Sequence, residues 1–278
     1  MIAVLGGFAP AEDEGAGLVP VLNAFDDVVA HARSSRARLL EAPVILHVDT
    51  GMARLGLDAR DLDRVVGTGE LGALDVRYVM THLACADETD NPFNQRQLQR
   101  FEAACARLRP MPRSIANSSG IFLGERFASD LARPGCALYG INPTPGQPNP
   151  MRPVVRLDVP VLQVREIGPG ESVGYGCSWT AERPSRIATV PLGYADGYLR
   201  SLSGRGFCLY GNAHVPLVGR VSMDLVTLDV TDHPLIVPGE YLTALGAPGV
   251  TPDDLAARAG TIGYEILTSL GARYARQY

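Results

Sequence analysis

Two arginines lie in glycine-containing turns, each close to a short apolar run that is typical of a strand. Arg54 ends the segment Asp49-Thr-Gly-Met-Ala-Arg, and Arg133 opens the segment Arg133-Pro-Gly-Cys-Ala-Leu-Tyr-Gly. A guanidinium at a strand end can bind a carboxylate or a phosphate through paired hydrogen bonds. Gly135 would let such a ligand approach the backbone closely. Taken alone, each segment is explained more simply by an ordinary turn with a surface arginine.

A histidine and a serine-rich segment follow two further apolar runs. His82 comes directly after the run Val76–Thr81. A lone histidine there is most often a structural group. Because Arg54 is expected at the same face of the sheet, a structural role and a functional role of His82 are about equally favoured. The segment Asn117-Ser118-Ser119-Gly120 could hold a phosphate through its hydroxyls and amides. It could also do no more than cap a helix.

Three tyrosines and a methionine in the second half of the chain are further candidates. Tyr175 lies between two glycines, and Tyr194 lies in a glycine-flanked turn. A tyrosine presented in this way can act as a general acid or base; the simpler alternatives are a hairpin tip and a plain turn. Met223 begins an apolar run that reads as a strand. Tyr264 opens the last predicted helix, where a packed aromatic ring is the usual explanation.

The sequence contains no lysine, so all 25 of its lysine-plus-arginine residues are arginines. A nucleophile that forms a Schiff base must be a primary amine that can lose its proton, and arginine cannot do this. The chain as written therefore offers only its N-terminal amine for such chemistry.

The first part of the chain alternates strand-like and helix-like segments, which predicts a parallel sheet or an α/β barrel. A complete eight-unit barrel typically takes about 250 residues, so either the sheet is open or the first units are missing. The predicted strands are 2–8, 44–48, 76–82 and 114–118. The predicted helices begin near Asn23 and cover 58–66 and 95–108.

A proline-rich segment then predicts a domain boundary. Residues 142–150 hold four prolines and a glycine, which is typical of a linker. We therefore predict an α/β domain over residues 1–145 and a mainly antiparallel β-domain over residues 146–278. The predicted β segments are 154–164, 186–191, 207–210, 215–218 and 225–230, followed by helices at 252–259 and 264–273.

Composition excludes several classes of protein. The net charge of −5 comes without a basic stripe, so we expect no nucleic-acid partner. The longest apolar runs are too short for a membrane-spanning helix, and the N-terminus lacks the basic residues of a signal peptide. Five widely spaced cysteines without a C-x-x-C pair argue against a zinc site, and no metal is predicted. A reduced, cytoplasmic protein is expected.

Eight segments occur in an order that resembles the successive motifs of the alanine racemase family. The resemblance runs from near residue 2 to the C-terminus, and its first motif begins at His47. The segments read HVDTGMARLG, THLACAD, NSSG, RPGCALYG, GYGCSWTA, PLGYADGY, GRVSMD and TIGYE. No one of them is specific, but their order is. The resemblance implies an N-terminal α/β barrel that holds pyridoxal 5'-phosphate, a C-terminal β-domain, and a homodimer with shared active sites. It also implies the interconversion of L- and D-alanine, which supplies D-alanine for peptidoglycan.

The resemblance assigns the cofactor contacts to both parts of the chain. Ser118, the amides near Gly135 and Cys136, and Tyr264 would bind the cofactor phosphate. Arg133 would face the pyridine nitrogen. Because an arginine there keeps its charge, that nitrogen would stay unprotonated, which favours proton exchange alone over side reactions.

The resemblance assigns the remaining roles to residues that surround the substrate. His82 would orient the arginine that faces the cofactor, and Arg54 would lie beside the cofactor ring oxygen and the substrate carboxylate. Tyr175 of the partner subunit would be one of two bases that act on opposite faces of Cα. Met223 and Tyr194 of the partner would narrow the pocket to a methyl group.

The sequence departs from the family pattern at two points. The motif that carries the cofactor lysine should lie upstream of the HVDTGM segment and is not found, so we expect an N-terminally truncated racemase that folds poorly and forms no Schiff base of its own. His47 stands where many members have a lysine, and we interpret it as variation. Two alternatives stay open: a non-catalytic homologue that acts as a binding or dimer partner, and a racemase of another small amino acid such as serine.

Overall fold

The computed structural model describes residues 2–4, 18–38 and 42–278, so residues 5–8 of the first predicted strand lie outside the described residues. The chain divides into two compact units. Unit 1 comprises Met1–Ala137 with Pro143–Pro148, and unit 2 comprises Leu138–Asn142 with Asn149–Tyr278.

Unit 1 is built on a five-stranded parallel sheet whose strands follow one another in chain order. Strands that pair with their sequence neighbours, with helices between them, are the arrangement found in the wall of an α/β barrel. This confirms the α/β architecture predicted for the first part of the chain. The strands are β1 (Ile2–Val4), β2 (Leu18–Leu22), β3 (Ala42–His47), β4 (Leu74–Met80) and β5 (Arg113–Ser114).

Three helices cover this sheet: α1 (Phe25–Arg38), α2 (Ala59–Thr68) and α3 (Pro92–Cys105). The α2 helix begins where the Asp58 carboxylate accepts a hydrogen bond from the Asp61 amide, which satisfies a free donor of the first turn. The α1 helix begins at Phe25, two residues after Asn23, which was predicted to lie near its start. The backbone amides of Asn23 and Ala24 donate to the carboxylate of Asp27 in the first turn.

Unit 2 is mainly antiparallel, as predicted, and its strands form two larger sheets and one hairpin. The sheets have the orders β13-β10-β7 and β12-β11-β14-β6, and β8 pairs with β9. Two helices follow, α4 (Pro252–Ala259) and α5 (Gly263–Ser269). The strands are β6 (Leu157–Pro160), β7 (Gln163–Ile167), β8 (Ser172–Val173), β9 (Trp179–Thr180), β10 (Ser185–Val190), β11 (Phe207–Tyr210), β12 (Ala213–Pro216), β13 (Val226–Asp229) and β14 (Tyr241–Leu245).

Each unit has its own apolar core. The core of unit 1 lies between the sheet and its helices and includes Leu46 and Phe101, both fully buried. The core of unit 2 includes Val190, Leu228 and Leu242 from three different strands. Such burial is the main source of stability in a domain of this size. Two cores place the strand ends of unit 1 and the turns of unit 2 on separate scaffolds.

Candidate active site

Arg133 is anchored in unit 1 by acceptors at the ends of two neighbouring strands, β4 and β5. Its Nη1 donates to the Oγ of Ser114 at 2.6 Å, and its Nη2 donates to the carbonyl oxygen of Thr81 at 2.6 Å. A third, longer contact of 3.3 Å joins Nη2 to the carbonyl oxygen of Ile115. The Ser114 hydroxyl and the Thr81 carbonyl oxygen are neutral acceptors that hold the guanidinium by charge-assisted hydrogen bonds, which are short and directional. The guanidinium is therefore fixed in plane at the carboxyl end of the sheet.

The guanidinium carries its charge next to a neutral imidazole. Burial lowers the pKa of Arg133 to about 10, so the group remains a cation at neutral pH. The Nδ1 atom of His82 lies 3.5 Å from Nη2 of Arg133. Burial, and then the charges of Arg133 and Arg54, lower the pKa of His82 to about 4. The imidazole is therefore neutral at pH 7, and the net charge of the pair is +1.

The turn that presents Arg54 is shaped by one carboxylate. Asp49 accepts hydrogen bonds from the amides of Gly51, Met52 and Ala53 at 2.9–3.2 Å. Ala53 has a φ of +54°, an unusual value for a residue with a side chain, and the Asp49 bonds hold it there. The exposed side chain of Arg54 follows this turn at the end of the β3 segment.

A buried polar network connects the ends of β3 and β4. The hydroxyls of Thr50 and Thr81 lie 2.7 Å apart. The side chain of Gln97, fully buried on α3, donates to the Thr50 hydroxyl and to the carbonyl oxygen of His82, both at 3.0 Å. It also accepts from the amide of Ala84 at 2.8 Å. Because every polar group in this network has a partner, it rigidifies the two strand ends that carry Arg54 and His82.

The structure brings together Ser118, Gly135 and Cys136, as the resemblance implies. The Oγ of Ser118 accepts hydrogen bonds from the amides of Gly135 at 2.8 Å and Ala137 at 3.3 Å. The hydroxyl hydrogen of Ser118 is thereby left to donate. The amide of Gly135 therefore already has an acceptor. The role of Ser118, Gly135 and Cys136 as phosphate ligands stays a prediction.

His47 closes β3 and contacts Asn23, which lies between β2 and α1. Its Nδ1 lies 2.8 Å from the Oδ1 of Asn23. The side-chain nitrogen Nδ2 of Asn23 donates to the carbonyl oxygen of Val21. This second bond identifies Oδ1 as the acceptor, so Nδ1 of His47 carries the hydrogen. Burial, and then the charge of Arg133, lower the pKa of His47 to about 4. A neutral imidazole thus occupies the position that we interpreted as variation.

In unit 2, Tyr175 lies at the tip of the β8–β9 hairpin. Gly174 and Gly176, on either side of it, have φ values of +76° and +69°, which residues with side chains rarely adopt. These glycines let the chain reverse so sharply that the tyrosine is 72% exposed. The hairpin tip considered as the simpler alternative is therefore the structure that presents the candidate base.

Tyr194 and Met223 lie on two turns of unit 2 that contact each other through the backbone. The amide of Tyr194 donates to the carbonyl oxygen of Ser222 at 3.1 Å, and the amide of Ala195 donates to the carbonyl oxygen of Met223 at 3.0 Å. A Cβ atom at Gly193 would lie only 2.1 Å from the carbonyl oxygen of Met223. Glycine is therefore required for this close approach, which leaves the side chains of Tyr194 and Met223 43% and 54% exposed.

Tyr264 is the second residue of α5 in unit 2, and it is partly exposed. Its predicted contact with a cofactor phosphate stays a prediction. In the ranges that the structure describes, no three side chains of histidine, cysteine, aspartate or glutamate gather in a way that suits a metal ion. All five cysteines are free thiols. None of the helices built from the described residues has the length and apolar character needed to cross a membrane.

Comparison with known families gives the same result over almost the whole chain. The family "Alanine racemase, N-terminal domain" matches residues 1–143, and "Alanine racemase, C-terminal domain" matches residues 154–278. The alanine racemase of Acidiphilium cryptum is 50% identical over 99% of this chain and 78% of its own length. That of Rhodospirillum rubrum is 52% identical over 96% of this chain and 73% of its own length.

The chain belongs to the alanine racemase family. This confirms the resemblance drawn from the eight motifs, and with it an isomerase family that depends on pyridoxal phosphate. A crystal structure of alanine racemase from Bartonella henselae with covalently bound pyridoxal phosphate is 37% identical, with a TM-score of 0.95, and covers 100% of this chain and 79% of that one. The biosynthetic alanine racemase of Pseudomonas aeruginosa is 35% identical, with a TM-score of 0.88, over 100% and 78% of the two chains.

Structural similarity to these alanine racemases also confirms the fold class. The parallel sheet of unit 1 corresponds to the barrel domain of the family, and the antiparallel sheets of unit 2 correspond to its β-domain. Sequence reasoning did not find the residues that hold the site in place, namely Ser114, Thr81 and Gln97. Ser114 and Thr81 lie on or beside a strand end, and this position was their only signal. Gln97 lies within α3, and nothing in the residue types marked any of the three.

Proposed function

We propose that this chain interconverts L- and D-alanine with pyridoxal phosphate as its cofactor. The observation that carries the proposal is the guanidinium of Arg133, which two short hydrogen bonds fix beside a neutral imidazole. A guanidinium has five N–H donors, so this cation keeps donors beyond those that Ser114 and Thr81 accept. It suits a neutral heterocyclic nitrogen, to which it would donate a hydrogen bond. It suits a protonated nitrogen badly, because like charges repel.

The residues present fit the cofactor at two places. The free hydroxyl hydrogen of Ser118 and the amide of Cys136 are donors of the kind that bind a phosphate, and the cationic Arg133 suits the ring nitrogen. Gly135 keeps the approach to the backbone open, since nothing lies within 4 Å of the position that its Cβ would take. Tyr264 would add its hydroxyl to the phosphate. When bound, the cofactor draws electrons from Cα of the amino acid, which makes the Cα hydrogen acidic.

Tyr175 would remove the Cα hydrogen of L-alanine and return one to the same face. Its exposed place at a glycine-flanked hairpin tip allows it to reach a site on another chain. Racemisation is simplest with a second proton-transferring group on the opposite face. The resemblance assigns this group to a lysine, and the printed sequence contains none.

Selectivity for alanine would come from the two turns that carry Tyr194 and Met223. Their partly exposed side chains would close the space around the substrate methyl group. Arg54 would hold the substrate carboxylate by charge. A pocket of this type separates small side chains by steric exclusion and discriminates only modestly against one added hydroxyl.

We further propose a cytoplasmic homodimer in which each chain lends Tyr175, Tyr194 and Met223 to the site of the other. D-alanine made by such an enzyme would supply peptidoglycan synthesis. A catabolic use of D-alanine is an alternative, because a relative from Mesorhizobium japonicum that is 44% identical is named "Alanine racemase, catabolic".

The proposal can be tested with a probe that joins cofactor and substrate in one stable molecule, N-(5'-phosphopyridoxyl)-alanine. Its binding does not require a lysine, so the chain can be used as it is. We expect it to bind more tightly than the corresponding leucine derivative, and we expect Ser118→Ala to weaken it. Equal affinity for the alanine and leucine forms would contradict the proposal, and a preference for the serine form would favour a serine racemase.

A second measurement follows the chemistry at Cα. With pyridoxal phosphate and L-alanine in deuterated water, proton NMR should show loss of the Cα hydrogen faster than in the protein-free mixture. Tyr175→Phe should abolish this acceleration, because phenylalanine has no group that transfers a proton. A Tyr175→Phe protein that is as fast as the unmodified chain would remove Tyr175 from the mechanism.

A further inference from the structure

Arg273 joins the two turns of unit 2 that carry Tyr194 and Met223. Its Nε lies 2.8 Å from Oδ1 of Asp196, and its Nη1 lies 2.8 Å from Oδ1 of Asp224. Asp196 is two residues after Tyr194, and Asp224 is next to Met223. One guanidinium from the segment that follows α5 therefore bridges a carboxylate on each turn.

The carboxylate of Asp196 is the buried member of this cluster. The residue is 6% exposed, and its Oδ2 accepts a hydrogen bond from the amide of Gly193 at 3.0 Å. The backbone carbonyl oxygen of Asp196 accepts from the amide of Gly271 at 3.1 Å. The segment of Arg273 and the turn of Tyr194 are thus held together by side chain and backbone. A buried carboxylate that loses its cation is strongly unfavourable, so this contact is persistent.

The carboxylate of Asp224 completes the link between the turns. Asp224 is about half exposed. Its ion pair with Arg273 is therefore weaker than the pair of Arg273 with Asp196, because water screens an exposed ion pair. Without the guanidinium, two carboxylates on adjoining turns would repel each other. The two turns are also joined by two amide–carbonyl hydrogen bonds and by the close approach of Gly193 to the carbonyl oxygen of Met223.

We propose that Arg273 is a positioning residue which sets the separation of Tyr194 and Met223 and thereby the size of side chain that the site accepts. This rests on the proposed function for its second half, because those two side chains border the substrate only if the chain is a racemase. The first half concerns the geometry of unit 2 alone and can be tested without substrate.

The first test is amide hydrogen exchange of the full chain in its unmodified form and as Arg273→Gln. The amides of Tyr194 and Ala195, which bond to the neighbouring turn, should exchange at least fivefold faster in the variant. Amides of β10 and β13 should be unchanged. Arg183→Gln is the matched control, since Arg183 forms an exposed ion pair with Asp232 and neither residue belongs to these turns. Unchanged exchange at Tyr194 and Ala195 in the variant would overturn the proposal.

Asp224→Asn is the second variant and covers the case in which Arg273→Gln does not fold. It leaves the buried Asp196 pair intact and removes only the exposed arm, so the chain should fold and show a smaller acceleration. In the Arg273→Gln background the same change should partly slow the exchange again, because it removes the repulsion between the carboxylates. Additive effects of the two changes would contradict a shared role.

The second test compares kcat/KM for alanine, serine and 2-aminobutyrate. Arg273→Gln should lower the preference for alanine over 2-aminobutyrate at least fivefold, while Arg183→Gln keeps it. Faster exchange with an unchanged preference would overturn the role in selectivity. If the unmodified chain turns over none of these amino acids, the proposed function fails, and the exchange result still decides whether Arg273 holds the turns.

Discussion

Arg133 shows how a single residue can be specified by its neighbours. Two acceptors, Ser114 and the carbonyl oxygen of Thr81, take one hydrogen from each terminal nitrogen at 2.6 Å. A lysine could not replace it, because an ammonium group lacks the planar fork that satisfies two fixed acceptors. The nearby His82 is farther away, at 3.5 Å. The orientation of the guanidinium therefore depends more on the two acceptors than on the imidazole.

Replacing Ser114 by alanine tests this geometry. The variant loses one charge-assisted hydrogen bond, and we expect about tenfold weaker binding of N-(5'-phosphopyridoxyl)-alanine, equivalent to about 1.4 kcal/mol. Arg133→Gln should weaken binding further. The control is Arg109→Gln, because Arg109 makes a long contact of 3.4 Å with the carbonyl oxygen of Leu74 and lies away from Arg133 in the sequence. Calorimetric titration measures all four proteins, and equal affinity in Ser114→Ala would show that the hydroxyl is not needed.

The two buried histidines predict a pH dependence of stability. Both have a pKa of about 4 in the folded chain, against about 6.5 in the unfolded chain. Above pH 6.5 both states are unprotonated and neither histidine affects stability. As the pH falls from 6.5 towards 4, only the unfolded chain takes up protons, so the free energy of unfolding of unit 1 decreases, by at most about 1.4 kcal/mol per pH unit for each histidine.

This dependence can be measured by NMR titration and by urea unfolding at several pH values. The imidazole signals of His47 and His82 should keep the shifts of the neutral form down to about pH 5. His47→Gln should reduce the slope of stability against pH between 6.5 and 4. A signal of either histidine that titrates near pH 6.5 would contradict the expected burial effect.

At the scale of elements, turns rather than strands carry the candidate catalytic and selectivity residues of unit 2. The β8–β9 hairpin presents Tyr175, and the turn before Tyr194 approaches the Met223 turn at Gly193. Gly193 has an extended φ of −154°, which any residue can adopt. Glycine is required there because a side chain would not fit, and not because of the backbone conformation. The strands behind these turns supply the rigidity that the loops lack.

Gly193→Ala should therefore damage this element specifically. Its methyl group would overlap the carbonyl oxygen of Met223, and such overpacking costs about 1–3 kcal/mol. Gly168→Ala is the control, because its methyl group would meet only a carboxylate oxygen of Glu171 at 3.3 Å, and we expect a change of at most about 0.5 kcal/mol. Urea unfolding followed by the fluorescence of Trp179, the single tryptophan, reports on unit 2. Equal midpoints for the two variants would show that the turns can move apart freely.

At the scale of the molecule, candidate residues are divided between two units with separate cores. Arg133, His82 and Ser118 belong to unit 1, whereas Tyr175 and Met223 belong to unit 2. If the proposed homodimer shares its sites, a residue of unit 2 completes the site of the other chain. A two-fold symmetric pair then has two equal sites, each made from both chains.

Mixing two inactive variants tests this division. Tyr175→Phe and Arg133→Gln, dissociated together and reassociated in equal amounts, should form hybrids in which one site carries both changes and the other carries neither. Random association makes half of the dimers hybrid, so about a quarter of the normal rate of Cα hydrogen exchange should return. No recovery above the separate variants would indicate that each site is built from one chain.

Local sequence was sufficient for the features that depend on neighbouring residues. Glycines around Tyr175 predicted a sharp turn, the helix predicted over residues 58–66 corresponds to α2, and apolar runs marked β3 and β4. The ordered motifs predicted Arg133 and Ser118 as site residues, which stays a prediction, and comparison with relatives confirmed the family. Strand β2 was not predicted, because its five residues include Pro20 and follow a glycine-rich segment that reads as a loop.

Tertiary structure decided the contacts between residues that are distant in sequence. Ser114 binds Arg133 through its side-chain hydroxyl, and Thr81 binds it through its backbone carbonyl oxygen. No sequence pattern distinguishes either group. Asn23 follows β2 and binds His47 at the end of β3, because the parallel pairing of these strands brings their ends together. Arg273 and Asp196 are 77 positions apart. Such pairs form only when strands and turns pack, since the energy that selects them comes from burial and not from local propensity.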